Sequence, residues 1–340
     1  MAIAKITLTV PTNWQDDLLS AFSDSNIGCV YGKIGGDFIG SGSLLHDLGF
    51  KLSKKGISDY IKKIHKQEKT FRYIIDVSCL DNAEWTRAGQ KRIRNLLDRL
   101  LSFGVDSVSV AMPYLVELIK RQYPKLLVEI SLVAEVDNAV RAKRWEDLGA
   151  DTITLASYKI NRNFQLLKEI RNAVKCNLQL TANQCCPSNC IDYGFNANLL
   201  SHIKDRERRD NVGIHCASQQ DQRDAGFEII SAQWIRPEDI HYYEEIGIDS
   251  LQLLDSGIGS KDILRIIDAY SKRLYPGNLA ELIPVFLRHT PERIFINNSA
   301  LDKFIGYFVE GKCLGLCDEC AYCKNVVNKL VSADYLYARI

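Results

Sequence analysis

The chain has 340 residues, of which 46% are hydrophobic and 25% charged, with 43 basic side chains against 42 acidic ones. That near-neutral balance removes any electrostatic case, from composition alone, for a nucleic-acid or membrane-surface protein. A chain of this length buries a large core without disulfides. No stretch approaches the roughly 18 apolar residues of a membrane span. The opening MAIAKITLTVPTN lacks the longer apolar region and cleavage site of a signal peptide. A cytoplasmic protein with no membrane partner is therefore expected, with Lys51–Lys69 and Arg206–Arg209 as solvated faces.

In chain order, β-rich runs alternate with amphipathic helical patterns. The expected strands are Lys5–Val10, Ile27–Gly32, Phe71–Val77, Asp106–Ala111, Leu127–Val133, Asp151–Ala156, Cys176–Ala182 and Asp249–Leu254. Helical patterns such as Thr86–Gly104, Asn138–Gly149 and Arg162–Val174 separate them, several ending on a glycine suited to a left-handed cap. Such alternation predicts parallel β-structure with crossover helices. Eight strands favour a TIM-type (β/α)8 barrel over a doubly wound sheet. YGKIGGDFIGSG, Tyr31–Gly42, is glycine-rich but spaced wrongly for a phosphate loop, and reads as a loop at the barrel mouth. The barrel is expected over 1–280, with an insertion after strand seven over 183–232 and a cysteine-rich C-terminal extension over 281–340.

Eleven cysteines point to metal or redox chemistry in a cytosolic chain. Cys29, Cys79 and Cys176 are scattered; the other eight form two groups. TANQCCPSNC places Cys185, Cys186 and Cys190 directly after strand seven, and Cys216 follows in the insertion. Carboxyl ends of barrel strands converge on the face that carries chemistry, so thiols there can bind a soft metal beside a substrate cavity. Of the adjacent pair, Cys186 is the preferred ligand; Cys185, Cys29 or a tail thiol could supply a fourth. GKCLGLCDECAYC carries Cys313, Cys317, Cys320 and Cys323 as C-x3-C-x2-C-x2-C. That spacing suits zinc or a 4Fe–4S cluster, so one centre or two are open. His215 could also ligate or sit behind the ligands, whereas His202 and His241 read as ordinary helical residues. Asp76, Glu135, Tyr158, Lys159, Tyr31 and Lys33 lie at strand ends and are further polar candidates.

LQLTANQCCPSNCIDYGFNANLLSH, the block from WIRPEDI to YPGNL and the early VYGKIGGDF resemble peptidase family U32, the collagenase-like proteins, from about residue 5 to 325. The resemblance implies a TIM-barrel-like domain. It also implies, for several members, a 4Fe–4S cluster and oxygen-independent hydroxylation of ubiquinone precursors or RNA; other members are named peptidases. Its cluster thiols map to Cys186 and Cys190 and then Cys216. Two departures stand out: Gln252 and Ser256 occupy places where the family often has lysine and arginine, and the tail cysteine pattern is not general. The expected function is thus an iron–sulfur hydroxylase or oxidoreductase acting on a small aromatic, peptide or RNA substrate, with Arg236, Tyr31 and Lys33 orienting it. A peptidase, or a metal-stabilised partner subunit paired with a relative of the same family, are the alternatives.

Overall fold

The computed structural model describes residues 5–34, 37–41, 52–188, 190–202, 225–254, 257–285, 294–317 and 319–338. Cys216, His215, Ser256 and the run Arg206–Arg209 lie outside them.

β1 (Thr7–Pro11), β2 (Ile27–Gly32), β3 (Thr70–Ile75), β4 (Ser107–Val110), β5 (Leu127–Ile130), β6 (Thr152–Thr154), β7 (Asn177–Thr181) and β8 (Ser250–Gln252) form a closed parallel barrel in chain order. Pairing of Thr7, Leu8 and Thr9 with Ser250, Leu251 and Gln252 shuts the ring. All eight expected strands are present, each within a few residues of its expected bounds. The largest difference is the run Leu127–Val133. Its strand stops at Ile130, where the Ser131 side chain accepts the Val133 N–H and starts a turn that leaves Glu135 at φ 49°.

Helices pack outside the ring because their apolar positions repeat at helical spacing. α1 (Lys54–His65) buries Ile57, Tyr60, Ile61 and Ile64 and leaves Lys62 and Lys63 outside, in the position expected of a solvated lysine face. α2 (Arg87–Phe103) starts on the Thr86 side chain and ends at Gly104, φ 90°. α3 (Pro113–Gln122), α4 (Ala139–Leu148), the single-turn α5 (Ser157–Ile160) and α6 (Phe164–Ala173) continue the ring. After β7 come α7 (Tyr193–His202) and α8 (Ala225–Ser231), then α9 (Ile240–Ile246) and, after β8, α10 (Ser260–Lys272).

Strand alternation sends Leu8, Val10, Val108, Val110, Val128, Ile130, Leu178, Leu180 and Leu251 to the helix-facing core. The opposite residues fill the barrel with a polar layer. Gln179 is its hub: its carbonyl oxygen accepts from Thr9 at 2.9 Å, Ser250 at 3.1 Å and Arg72 at 3.2 Å, while its amide donates to Thr154 at 2.7 Å. Thr154 in turn donates to Glu129. Burial pushes the Glu129 carboxyl up against the opposing pull of Arg72. A buried polar network of this kind is tolerated only because its members bond one another.

Beyond α10 lie β9 (Ile294–Ile296), α11 (Gly306–Val309), α12 (Tyr322–Ser332) and β10 (Leu336–Ala338), with β10 antiparallel to β9. The sequence reading contains no counterpart of this strand pair. The extension packs on the insertion: a Cβ at Gly226 of α8 would come within 3.2 Å of Leu336 and Val327.

Candidate functional site at the carboxyl ends of the strands

The loop leaving β7 turns at Pro187–Cys190, where the Cys190 N–H reaches the Pro187 carbonyl at 3.2 Å. Gln233 holds that turn by donating to the Ser188 hydroxyl at 3.1 Å. Adjacent Cys185 and Cys186 face different surroundings. Cys185 packs against the hydrophobic core and lies within electrostatic reach of Arg162. Cys186 accepts a hydrogen bond from the Gln184 amide at 3.3 Å and lies near Tyr158 and Tyr193.

Those tyrosines belong to a polar cluster at the mouth. The Tyr158 and Tyr193 rings stack with centroids 4.0 Å apart. Tyr158 donates to Glu135, and Lys159 reaches the same carboxylate oxygen at 2.8 Å. Burial raises the Glu135 carboxyl, but the bonds from Lys159 and Tyr158, with the Lys159 charge, overturn that and leave it lowered. Burial raises Tyr193 well above the ordinary tyrosine value, and Cys186, Asp76 and Glu135 add to the effect. Burial, then the Glu135 partner, raises Tyr158 too. Both phenols therefore keep their protons at neutral pH, while Glu135 is ionised. Asp76, at the end of β3, accepts from Ser41 at 2.8 Å and Ser131 at 3.2 Å.

Other expected residues are placed differently. The Tyr31 hydroxyl donates to the Leu253 carbonyl at 2.7 Å. Lys33 pairs with Asp37 at 2.8 Å and also reaches the Ile74 carbonyl. Arg236 is turned toward the C-terminal extension: it is 2% exposed and donates to Asn298 at 2.9 Å, the Leu301 carbonyl at 2.7 Å and Asp302 at 2.9 Å. This gives Arg236 the job of joining two parts of the chain. Cys29 stands near the amino-terminal end of the barrel, opposite Thr70, the first residue of β3, so it cannot serve as a ligand at the mouth. Burial pushes its thiol up, with Arg72 opposing. Burial, then Glu146, likewise pushes Cys176 up to about 11. Gln252, in the expected lysine position, accepts from the Gln179 amide at 3.4 Å.

The tail thiols gather around two stacked tyrosines. Tyr307 and Tyr322 lie 3.8 Å apart, and the Tyr307 hydroxyl is 3.5 Å from the Cys320 sulfur. Cys323 lies within electrostatic reach of Cys313, Cys317, Cys320 and Arg162. Arg162 is thus within electrostatic reach of both Cys185 and Cys323, one thiol from each cysteine group. Among the described residues, no three His, Cys, Asp or Glu side chains are already drawn up as a metal site. Sequence reasoning missed Arg162, Tyr193 and Gln184. Gln184 and Tyr193 lie inside the cysteine-bearing block after β7, where the thiols drew the attention, and Arg162 lies outside any motif. An open cleft of about 590 Å³ lined by Asp37, Phe38, Arg92, Asn95, Asp98 and Arg99 holds none of these thiols.

A parallel (β/α)8 barrel with thiols at the carboxyl end of its seventh strand is the class that fold and site define. The family pattern of peptidase family U32 matches residues 49–186. The uncharacterized protease MJ1657 of Methanocaldococcus jannaschii is 31% identical over 307 residues, 88% of this chain and 87% of that protein. The solved structure of the U32 peptidase Mk0906 shares the fold with a TM-score of 0.55, at 23% identity, covering 75% of this chain and 95% of that one. This chain belongs to peptidase family U32. No described helix is long and apolar enough to cross a membrane.

Proposed function

We propose that the protein is an iron–sulfur redox enzyme of the U32 type, catalysing oxygen-independent hydroxylation or a related modification of a small aromatic, peptide or RNA substrate. The observation that carries this reading is the position of Cys186, at the end of β7 and beside Tyr158 and Tyr193. The donor set fits a soft metal. Cys186 and Cys190 flank a tight turn, the family resemblance adds Cys216, outside the described residues, as third ligand, and the Gln184 amide donates to sulfur as hydrogen bonds around cluster thiolates do. A bound cluster supplies electron transfer at the mouth. The chain itself supplies the Tyr193 phenol, which keeps its proton, and the ionised Glu135, held by Tyr158 and Lys159, to orient a polar substrate. The near-neutral charge weighs against RNA, which needs clustered cations.

A U32-type peptidase is the second reading, favoured by the protease and peptidase names of MJ1657 and Mk0906. It requires an activated nucleophile or a metal-bound water. Anaerobic purification separates the two readings. The redox reading expects coloured protein with iron and acid-labile sulfide in equal amounts. Colourless, iron-free protein that cleaves peptides would overturn it.

A further inference from the structure

We propose that Cys313, Cys317, Cys320 and Cys323 form a second, thiolate-ligated metal centre, separate from the β7 thiols, with the buried Arg162 guanidinium as its counter-charge.

Three observations lead there. First, four thiols fall within eleven residues on a segment that folds back on the Tyr307–Tyr322 stack, with Cys320 beside the Tyr307 hydroxyl. Gly311 and Gly315 have φ of 71° and 74°, and nothing lies within 4 Å of a Cβ at either. The chain therefore turns on either side of Cys313. Loops of this design wrap zinc and iron–sulfur centres.

Second, Arg162 is a buried cation that no carboxylate among the described residues pairs directly, with Asp239 within its electrostatic reach. It is 3% exposed, and its ring contacts are Trp234 at 4.2 Å, Phe304 at 4.8 Å and Phe308 at 5.1 Å. Its terminal nitrogens donate to the carbonyls of Ile230 and Trp234, but its Nε has no partner. Among the described residues it makes no ion pair. Burying a charge costs free energy unless an opposite charge compensates it.

Third, Cys323 lies within electrostatic reach of that guanidinium. When four thiols bind a divalent ion, each gives its proton to solvent and the site keeps a net charge of about minus two. A 4Fe–4S centre with four thiolates is also anionic. Either one adds negative charge on the Cys323 side of Arg162, beyond what Asp239 contributes. The centre would pin the extension, through Phe304 and Phe308, onto the end of the insertion.

The test uses the full chain, purified anaerobically, as wild type and as two double variants, Cys186→Ser/Cys190→Ser and Cys317→Ser/Cys320→Ser. Bound zinc, iron and sulfide are measured in each. The proposal expects the first variant to retain one centre per chain and the second to lose it. Zinc without sulfide identifies a tetrathiolate ion, and iron with equal sulfide identifies a cluster. A folded first variant devoid of metal, or a second variant with wild-type metal content, overturns the proposal. If the second variant does not fold, the first is stripped with a chelator and titrated with cobalt(II). Thiolate-to-metal charge-transfer absorption saturating at one ion per chain is expected, and its absence overturns the proposal. A first variant with full wild-type metal would instead sink the barrel-mouth centre and leave this one standing.

Discussion

The Arg162 guanidinium lies 4.2 Å from the centre of the Trp234 ring while donating to the carbonyl of that same residue at 3.3 Å. With its bond to the Ile230 carbonyl at 2.8 Å, this contact fastens the end of the insertion to the barrel. Arg162→Met keeps much of the side-chain length but removes the charge and both bonds. A loss of about 2–4 kcal/mol in urea unfolding is expected, since bonds from charged donors are worth about 1.5–3 kcal/mol each. An unchanged midpoint would show that the guanidinium holds nothing in place.

Asp239 gives a pH signature. It is 6% exposed, and burial raises its carboxyl to about 6 despite the nearby Arg236. The folded protein thus holds this proton more tightly than the unfolded chain, whose carboxylate sits near 4. The associated stability is fully present below pH ~4 and is lost as the pH rises through about 6. Asp239→Asn removes that dependence. It should stabilise the protein by about 1–3 kcal/mol at neutral pH and by little near pH 4. Equal shifts at both pH values would contradict the assignment.

Glu135 responds in the opposite direction. Its folded carboxyl is lowered, because the bonds from Lys159 and Tyr158 outweigh burial. The stability it brings is present above the ordinary glutamate value and disappears as the pH falls through the lowered folded one. Tyr158→Phe deletes one donor and should raise the Glu135 titration midpoint, followed by carboxyl-carbon NMR. A midpoint that stays put would mean that Lys159 alone sets it.

Gly40 tests how the mouth is assembled. A Cβ there would lie 2.2 Å from the Ser201 carbonyl oxygen, so the loop after β2 touches the last turn of α7. Gly40→Ala must displace backbone. The expected cost is about 1–3 kcal/mol, together with a changed fluorescence or NMR environment for Tyr193 on the same helix. A silent substitution would show that the loop and helix do not pack as described.

The barrel was legible because its signals are local. Ile27–Gly32 reads as a strand from its own residues, and Gly104, Gly149 and Gly247 stop helices with φ of 90°, 114° and 91°. The place of the thiols after β7 was legible too, because the strand before them was, although Cys185 packs against the core, which the polar turn did not suggest. The strand pair Ile294–Ile296 and Leu336–Ala338 was not, because three-residue strands paired across about forty residues leave no local pattern. Arg236 read as a substrate-facing residue from its sequence block, yet its partners Asn298, Leu301 and Asp302 come from a distant segment. The polar barrel interior was hidden for the same reason: Gln179 becomes a hub only when Thr9, Arg72 and Ser250 arrive from other strands.

The central claim is that Cys186 and Cys190 ligate a redox-active centre at the barrel mouth. Electron paramagnetic resonance of the dithionite-reduced protein, prepared anaerobically and compared with Cys186→Ser and Cys190→Ser, tests it most directly. The wild type should show a cluster signal that either substitution abolishes or reshapes, with a matching fall in iron content. A signal and iron content unaltered by both substitutions would place the metal elsewhere and contradict the account.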